Sequence, residues 1–289
     1  MQNFRNFILP SILGVLLVLN IFVWRETVVA RSVPLLKVYY LNVGQGDATL
    51  IEAPNGNQVL IDGGNTDNKV LSELSSVLSP LDKDIDMVLA THPDADHVGG
   101  LPEVLNRYSI GLFLHSGNET KTTQAFKRLE SESDKLGERK ILAQRGMRVV
   151  LDREYGVFLD ILYPDKDVSQ VESNEASIVA RLTYGKTHYI FSGDAPRSVE
   201  LHLTRVDGKN LESNVLKIGH HGSHTSSVVQ YVGFVKPEYA VISAGQNNRY
   251  GHPHKETLAT LERFGIKVLR TDQNGRIEID SDGNNVFVK

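Results

Sequence analysis

The sequence predicts an α/β fold in which two mixed β-sheets pack face to face with helices on their outer faces. Three observations carry this expectation. Short apolar runs recur from Pro34 onward, segments of helical spacing fall between them, and no low-complexity tract or linker divides the chain. With 289 residues, 40% hydrophobic and 23% charged, the chain suits one globular domain and a short appendage. Residues 1–31 are expected as a transmembrane anchor or signal segment and residues 32–289 as the folded domain.

The elements follow in order. "LLKVYYLNVG" and "DATLIEAP" read as strands, and "NQVLIDGG" returns after the turn "PNGN". "NKVLSELSSVLS" has helical spacing, "DIDMVLATH" is a short buried strand ending at His92, "LPEVLNRY" is a helix and "GLFLHS" a strand. "TTQAFKRLESESDKL" reads as a charged surface helix. Strands are expected at "MRVVL", "GVFLDILYP", "ASIVARLTYG" and "THYIFSGD", then a helix at "PRSVELHLTRV". The last part alternates: strand "NVLKIGHHG", helix near "SVVQYVGF", strand "YAVISAG", helix "KETLATLERFG", and strands at "KVLRT", "RIEID" and "NVFVK".

The appendage has its own chemistry. Residues 7–24, "FILPSILGVLLVLNIFVW", carry no charge. As a helix they would extend about 27 Å, near the hydrocarbon thickness of a bilayer. Arg5 precedes them, and Trp24 and Arg25 close them, as interfacial residues do. The expectation is a single-pass cell-membrane anchor with the folded domain on the extracytoplasmic side. Val28 and Ala30 would suit cleavage of a signal peptide, which would secrete the domain.

Composition excludes several functions. Net charge is −4, so no overall basic field attracts nucleic acid, and a polyanion must be held by a local site. There is no cysteine, hence no disulfide, no thiolate ligand and no thiol nucleophile. A site here must use His, Asp, Glu and water.

Polar residues collect where apolar strands end. "LATHPDADHVGG" supplies His92, Asp94, Asp96 and His97; "YIFSGD" ends at Asp194; "VLKIGHHGSH" ends at His220, His221 and His224; "VISAGQNNRYGHPH" ends at His252 and His254. Loops at one edge of packed sheets are where scaffolds carry sites. Imidazole and carboxylate together suit zinc, manganese or iron, and a set without sulfur favours a catalytic metal over a structural one. After Thr91, Pro93 fixes the bend, His92 and Asp94 can project the same way, and Asp96 and His97 begin the next turn. The segment can therefore offer two ligand pairs, and Asp194 could bridge them. A solvated loop whose aspartates cap a helix is the bland alternative. His115, His188 and His202 lack this context, and His254 suits a surface or capping position.

At these residues the chain resembles a known family. "HPDADH" is similar to the His-x-His-x-Asp-His signature of the metallo-β-lactamase superfamily, with Asp94 in place of the second histidine. Together with "LNVGQGDATLI", "LIDGG", "FSGDA", "LKIGHHGS", "SAGQNNRYGHPH" and "LRTDQNGRI", it resembles the C-terminal hydrolase domain of the ComEC competence proteins, from about residue 37 to residue 289. The resemblance covers only that hydrolase domain and not their long multi-helix channel region. The resemblance implies an αββα sandwich with a metal site at one edge. It implies His92 and Asp94 as ligands of a first divalent ion, Asp96 and His97 of a second, and Asp194 as the bridge. The family's third-motif histidine is absent; Asn174 in "SNEAS" stands there, a weaker ligand, so one or two ions of zinc or manganese are both open. Of the paired histidines, His221 is expected as ligand and His220 as phosphate contact or proton donor.

The expected function is hydrolysis, with a phosphodiester such as DNA as substrate, by water that the cation ionises. Asp96, His220, Lys217 and His252 are the expected catalytic residues, and Asn174, Ser223 and Asp47 the expected substrate contacts. Asp62 could fix a ligand histidine or simply turn the chain. Hydrolysis of a small ester, lactone or lactam is an alternative, as is a non-catalytic binding module of DNA uptake or the envelope. Implied partners are DNA, the membrane through the N-terminal helix, and competence or envelope proteins.

Overall fold

The structure is a computed structural model that describes residues 12–20 and 34–289. Residues 12–20 are helical (α1) and exposed. Among the described residues no helix is long and apolar enough to cross a membrane, and the rest of the expected anchor, residues 7–11 and 21–24, lies outside them. The chain divides into compact units at residues 1–34 and 35–289; the second carries the sheets.

One sheet has eight strands in the order β15 (Val286–Val288), β14 (Ile277–Ser281), β1 (Leu36–Tyr40), β2 (Thr49–Glu52), β3 (Gln58–Ile61), β4 (Asp84–Ala90), β5 (Ser109–His115) and β6 (Lys140–Leu142). The other has seven: β13 (Lys267–Arg270), β12 (Tyr239–Ile242), β11 (Val215–Lys217), β10 (Thr187–Phe191), β9 (Val179–Tyr184), β8 (Val157–Tyr163) and β7 (Arg148–Asp152). Strands β3 to β6 run parallel, as do β10 to β13. Both sheets are therefore mixed, as expected.

Burial explains the layering. Leu36, Val38, Tyr40 and Ile51 of the first sheet meet Leu159, Ile161, Leu182 and Tyr189 of the second. The opposite face of the first sheet, with Leu50, Leu60 and Val88, buries Val70 and Leu74 of α2 (Lys69–Val77), Val98 of α3 (Ala95–Val98), Val104 of α4 (Leu101–Arg107) and Leu129 of α5 (Gln124–Ser133). The second sheet buries Ile190, Leu216 and Ile242 against Leu203 of α6 (Arg197–Val206), Val232 of α7 (Val229–Val235) and Leu261 of α8 (Lys255–Arg263). Each such side chain contributes about 1.5–3 kcal/mol on leaving water. Strands buried on both faces read as continuous apolar runs, which is why they were recognisable without strict alternation.

Parallel pairing aligns strand ends. Phe191 of β10 lies beside Lys217 of β11, which lies beside Val241 of β12. Their following loops, and the loop after β4, thus leave the sandwich at strand C-termini. Two local readings differ from expectation. Strand β6 is not among the expected strands, since three residues are too short for a periodic signal. The strand at "NVLKIGHHG" stops at Lys217, and His220 and His221 sit in a tight turn with φ of 50° and 54°. Two consecutive side-chain-bearing residues in the left-handed region cost on the order of 1–3 kcal/mol each, and such strain collects at functional sites.

Candidate metal centre

Two loops of the first sheet build one wall. After β3, Asp62 turns the chain with φ of 58°, a conformation aspartate tolerates better than most residues. Its carboxylate accepts from Thr91 N (2.8 Å), from the Thr91 hydroxyl (2.7 Å) and from His97 Nδ1 (2.8 Å). Because the Thr91 hydroxyl donates to Asp62, it accepts from His92 Nδ1 at 3.0 Å. One buried carboxylate thus directs Nε2 of His97 and, through a hydroxyl, Nε2 of His92 inward; both rings are fully buried.

The second sheet supplies the opposite wall. Asp194 follows β10, its N–H held by the Ser177 hydroxyl at 3.1 Å. Its Oδ1 lies 3.1 Å from His97 Nε2, and its Oδ2 lies 3.6 Å from His221 Nε2, 3.7 Å from His220 Nε2 and 3.9 Å from His92 Nε2. Asp96 Oδ2 lies 3.3 Å from His221 Nε2. His221 turns Nδ1 toward the Ser243 carbonyl (3.1 Å) and Asp47 (3.2 Å). The structure therefore brings His97, Asp194 and His221 together around one point, with Asp96 beside His221 and with His92 and His220 at the margin.

The charges in this cluster are mutually dependent. Burial would lower the pKa of His97 and His221, but Asp194, with Asp62 for the former and Asp47 for the latter, raises His97 well above its ordinary value and His221 to about 10. Burial would raise the carboxyls, yet His97 and His221 hold Asp194 well below the usual range, and His221 and His97 hold Asp96 at about 2. His92 is lowered, first by burial and then by its cationic neighbour His97.

The donor set fits a divalent cation. His92 Nε2, His97 Nε2, Asp194 Oδ1 and His221 Nε2 are buried and lack a well-directed hydrogen bond. Buried polar atoms are normally satisfied, so four convergent orphans mark a place for a ligand with strong positive charge. Asp47 also lies within reach of His97, Asp194 and His221. Its oxygens, however, face Lys217 Nζ at 2.6 Å and His221 Nδ1, the side of the ring away from the convergence point. Asp47 Oδ1 stays a buried oxygen without a directed hydrogen bond, so the His221 Nδ1–H goes to the Ser243 carbonyl and Asp47 stands beside the ring as a charged neighbour. Asp94 Oδ1 lies 3.1 Å from Lys121 Nζ, an ion pair without a directed hydrogen bond, and remains a buried, unsatisfied oxygen.

The remaining expected residues divide. His220 lies at the mouth, its side chain 26% exposed and its Nδ1 3.0 Å from the Thr225 hydroxyl. The His252 ring lies 5.6 Å from that of His220 and 6.1 Å from that of His221. Burial and the neighbouring histidines His221 and His220 lower its pKa to about 4, so it is neutral at pH 7. Asn174 leaves a buried Oδ1 without a partner. Lys217 differs from its expected place beside substrate: it is 2% exposed, and Nζ is consumed by Asp47 and the Ile218 carbonyl. Ser223 is likewise buried, its Oγ accepting from Thr225 N and Oγ1. Of the groups that complete the site, Thr91 and Ser243 had no signal of their own; a threonine before His92 and a serine carbonyl acquire a role only when strands align.

The loop before β2 joins both walls. Asp47 N donates to the Asp96 carbonyl at 3.1 Å, and Gly245 N donates to Gln45 Oε1 at 3.1 Å. Gly46 has φ of 137°, and a Cβ there would stand 2.2 Å from the Asp96 carbonyl oxygen, so only glycine fits.

Comparison with known proteins agrees with this geometry. A family model described as the metallo-beta-lactamase superfamily matches residues 41–246. The chain is 32% identical over 262 residues to ComE operon protein 3 of Bacillus subtilis, covering 84% of this chain and 32% of that protein. It is 29% identical over 276 residues to the competence protein ComA of Neisseria gonorrhoeae, covering 94% of this chain and 36% of that one. The chain thus spans about a third of the length of these relatives. Among solved structures, Igni18, a metallo hydrolase of Ignicoccus hospitalis, superposes with a TM-score of 0.55 at 16% identity, covering 84% of this chain and 98% of that one. CmlA, a diiron β-hydroxylase of Streptomyces venezuelae, superposes at 0.54 and 12% identity, covering 88% and 54%. At such identities these two show the fold alone.

Proposed function

Because the chain belongs to the metallo-beta-lactamase superfamily, we propose that it is a metal-dependent hydrolase of phosphodiester bonds, with DNA as the substrate class. The carrying observation is the convergence of buried, unpartnered His97 Nε2, Asp194 Oδ1 and His221 Nε2, with Asp96 beside them. A divalent cation held there, zinc or manganese, supplies a water of lowered pKa and positive charge against the phosphoryl oxygens.

The chain's own residues divide the remaining work. Asp96, His97, Asp194 and His221 would hold the ion; Asp62 and the Ser243 carbonyl fix the two rings, with Asp47 beside the second. His92 Nε2, Asp94 Oδ1 and Asn174 Oδ1, all buried and unsatisfied, are left for a second, weaker place. His220, half-open at the mouth and within 3.7 Å of Asp194, binds the phosphate or returns a proton to the leaving oxygen. His252, neutral at pH 7, is an acceptor rather than that acid. Lys217 acts through Asp47 and not on substrate. The competence proteins named above make DNA the favoured polyanion, and the uncharged segment at residues 7–24 favours attachment to a membrane with the domain outside the cytoplasm.

The test is phosphodiesterase assay of the full chain from membrane and soluble fractions, with bis(p-nitrophenyl) phosphate, single-stranded DNA and a β-lactam, in added manganese or zinc. Turnover of the first two and not the third is expected, chiefly in the membrane fraction. Asp194→Ala should lower kcat at least 10³-fold, because the change removes a ligand to the ion that activates water. Activity that survives this substitution, or that appears only on the β-lactam, sinks the proposal.

A further inference from the structure

Beyond the cage, one more ring stands at the mouth. Tyr250 is 48% exposed, and its inner face stacks on His252 with centroids 5.6 Å apart and planes 20° from parallel. His252 in turn borders His220 at 5.6 Å and His221 at 6.1 Å. Tyr250 is therefore the outer end of a row of rings that begins at the cage. The Arg249 guanidinium lies over the same ring, which remains about half exposed.

The loop is built to hold that ring still. Asn248 Nδ2 donates to the carbonyls of Gly245 (2.9 Å) and His252 (2.7 Å), while its Oδ1 accepts from Tyr250 N (3.2 Å) and His252 N (3.0 Å). His254 Nε2 donates to the Tyr250 carbonyl at 3.2 Å. Two of these bonds hold the Tyr250 backbone directly, and the other three fix the turn that carries it. Arg249 adds a cation: its guanidinium carbon lies 4.9 Å from the Tyr250 ring centroid, and Nη2 donates to the phenol oxygen at 2.8 Å. Arg249 is also exposed.

An aromatic face with an arginine beside it, both open to solvent, matches the way proteins bind single-stranded nucleic acid. Bases stack on the ring without sequence preference, and the cation meets a backbone phosphate or the base itself. We propose that Tyr250 and Arg249 form a base-stacking subsite for the nucleotide next to the phosphodiester that is cleaved. This rests on the phosphodiesterase reading and narrows it: the substrate is single-stranded nucleic acid, because a base paired within a duplex has no free face to offer.

The test separates the two ideas. The full chain is titrated by fluorescence anisotropy, in chelator so that no turnover occurs, with a labelled oligothymidylate and with an abasic oligomer of equal length and phosphate count. Parallel samples with manganese hydrolyse bis(p-nitrophenyl) phosphate. Wild type is expected to bind the oligothymidylate about tenfold tighter than the abasic chain. Tyr250→Leu should bring that ratio close to one, and Tyr250→Trp should keep it. A ratio near one in wild type, a ratio unchanged by Tyr250→Leu, or no binding of either oligomer overturns the subsite, whatever the hydrolysis result. A tenfold ratio without any diester hydrolysis overturns the enzymatic reading and leaves Tyr250 and Arg249 as a base-binding face alone.

Discussion

Asp62 illustrates how one residue sets the chemistry of several. It fixes His97 directly and His92 through the Thr91 hydroxyl, and it occupies a left-handed turn to do so. The sequence could show that an aspartate preceded two glycines; it could not show which ring it faced. The same holds for Lys217, Asp47 and Ser223. Their residue types suit substrate binding, but alignment of β10, β11 and β12 buries them, and burial is a property of packing rather than of type. His92, Asp96, His97, Asp194 and His221 were recognisable because each ends an apolar run. Their protonation carries a testable consequence. The carboxylates keep protons on His97 and His221, whose pKa values are raised, His221 to about 10. A cation needs the neutral rings, so binding must release protons. Calorimetric titration of manganese at pH 7 in buffers of different ionisation enthalpy should show release of one to two protons, and affinity should strengthen as pH rises. Binding that is indifferent to pH would contradict this account of the cage.

Elements are joined by buried polar contacts as well as by apolar ones. Glu200 of α6 is 1% exposed, and its carboxylate accepts from Ser227 N (2.7 Å) and Val228 N (2.8 Å), capping the start of α7. Those donors belong to the loop that follows the paired histidines. Burial pushes the Glu200 carboxyl up to about 7 from 4.5, against the lowering effect of the two N–H groups. A folded-state pKa above the unfolded value favours the protonated folded form. The stabilisation is therefore fully present below pH 4.5 and is lost as pH rises through about 7. Glu200→Gln removes the titration and keeps the shape. Compared with wild type, thermal unfolding of that variant should depend less steeply on pH between 4.5 and 7, and identical profiles would refute the assignment. Glu200→Ala strips both donors and should cost about 2–4 kcal/mol. Neither effect was visible in "PRSVELHLTRV", where Glu200 looks like any polar position of an amphipathic helix.

The fold as a whole was largely readable because strands buried on both faces leave long apolar signatures, whereas β6 and the GHHG turn left none. What sequence could not reveal was that the walls of the cage come from different sheets, Asp62, Asp96 and His97 from one, Asp194 and His221 from the other. A cation bound between them links both sheets and stabilises only the folded chain. At about a hundredfold excess over its dissociation constant it adds about 2.7 kcal/mol, which for a domain of this size raises Tm by roughly 5–10 °C. Differential scanning with manganese and then with excess chelator checks this; a Tm that ignores both would mean that the ion, if bound at all, bridges nothing.

The loop at Gln45, Gly46 and Asp47 grips both walls independently of any cation, through the Asp96 carbonyl, Gly245, Lys217 and His221. The sheets are thus already latched, and traffic of an ion is left to the partly open side where Asp96 and His220 stand. A protein stripped of an ion at room temperature is therefore expected to keep its circular dichroism spectrum and to take the ion up again without refolding.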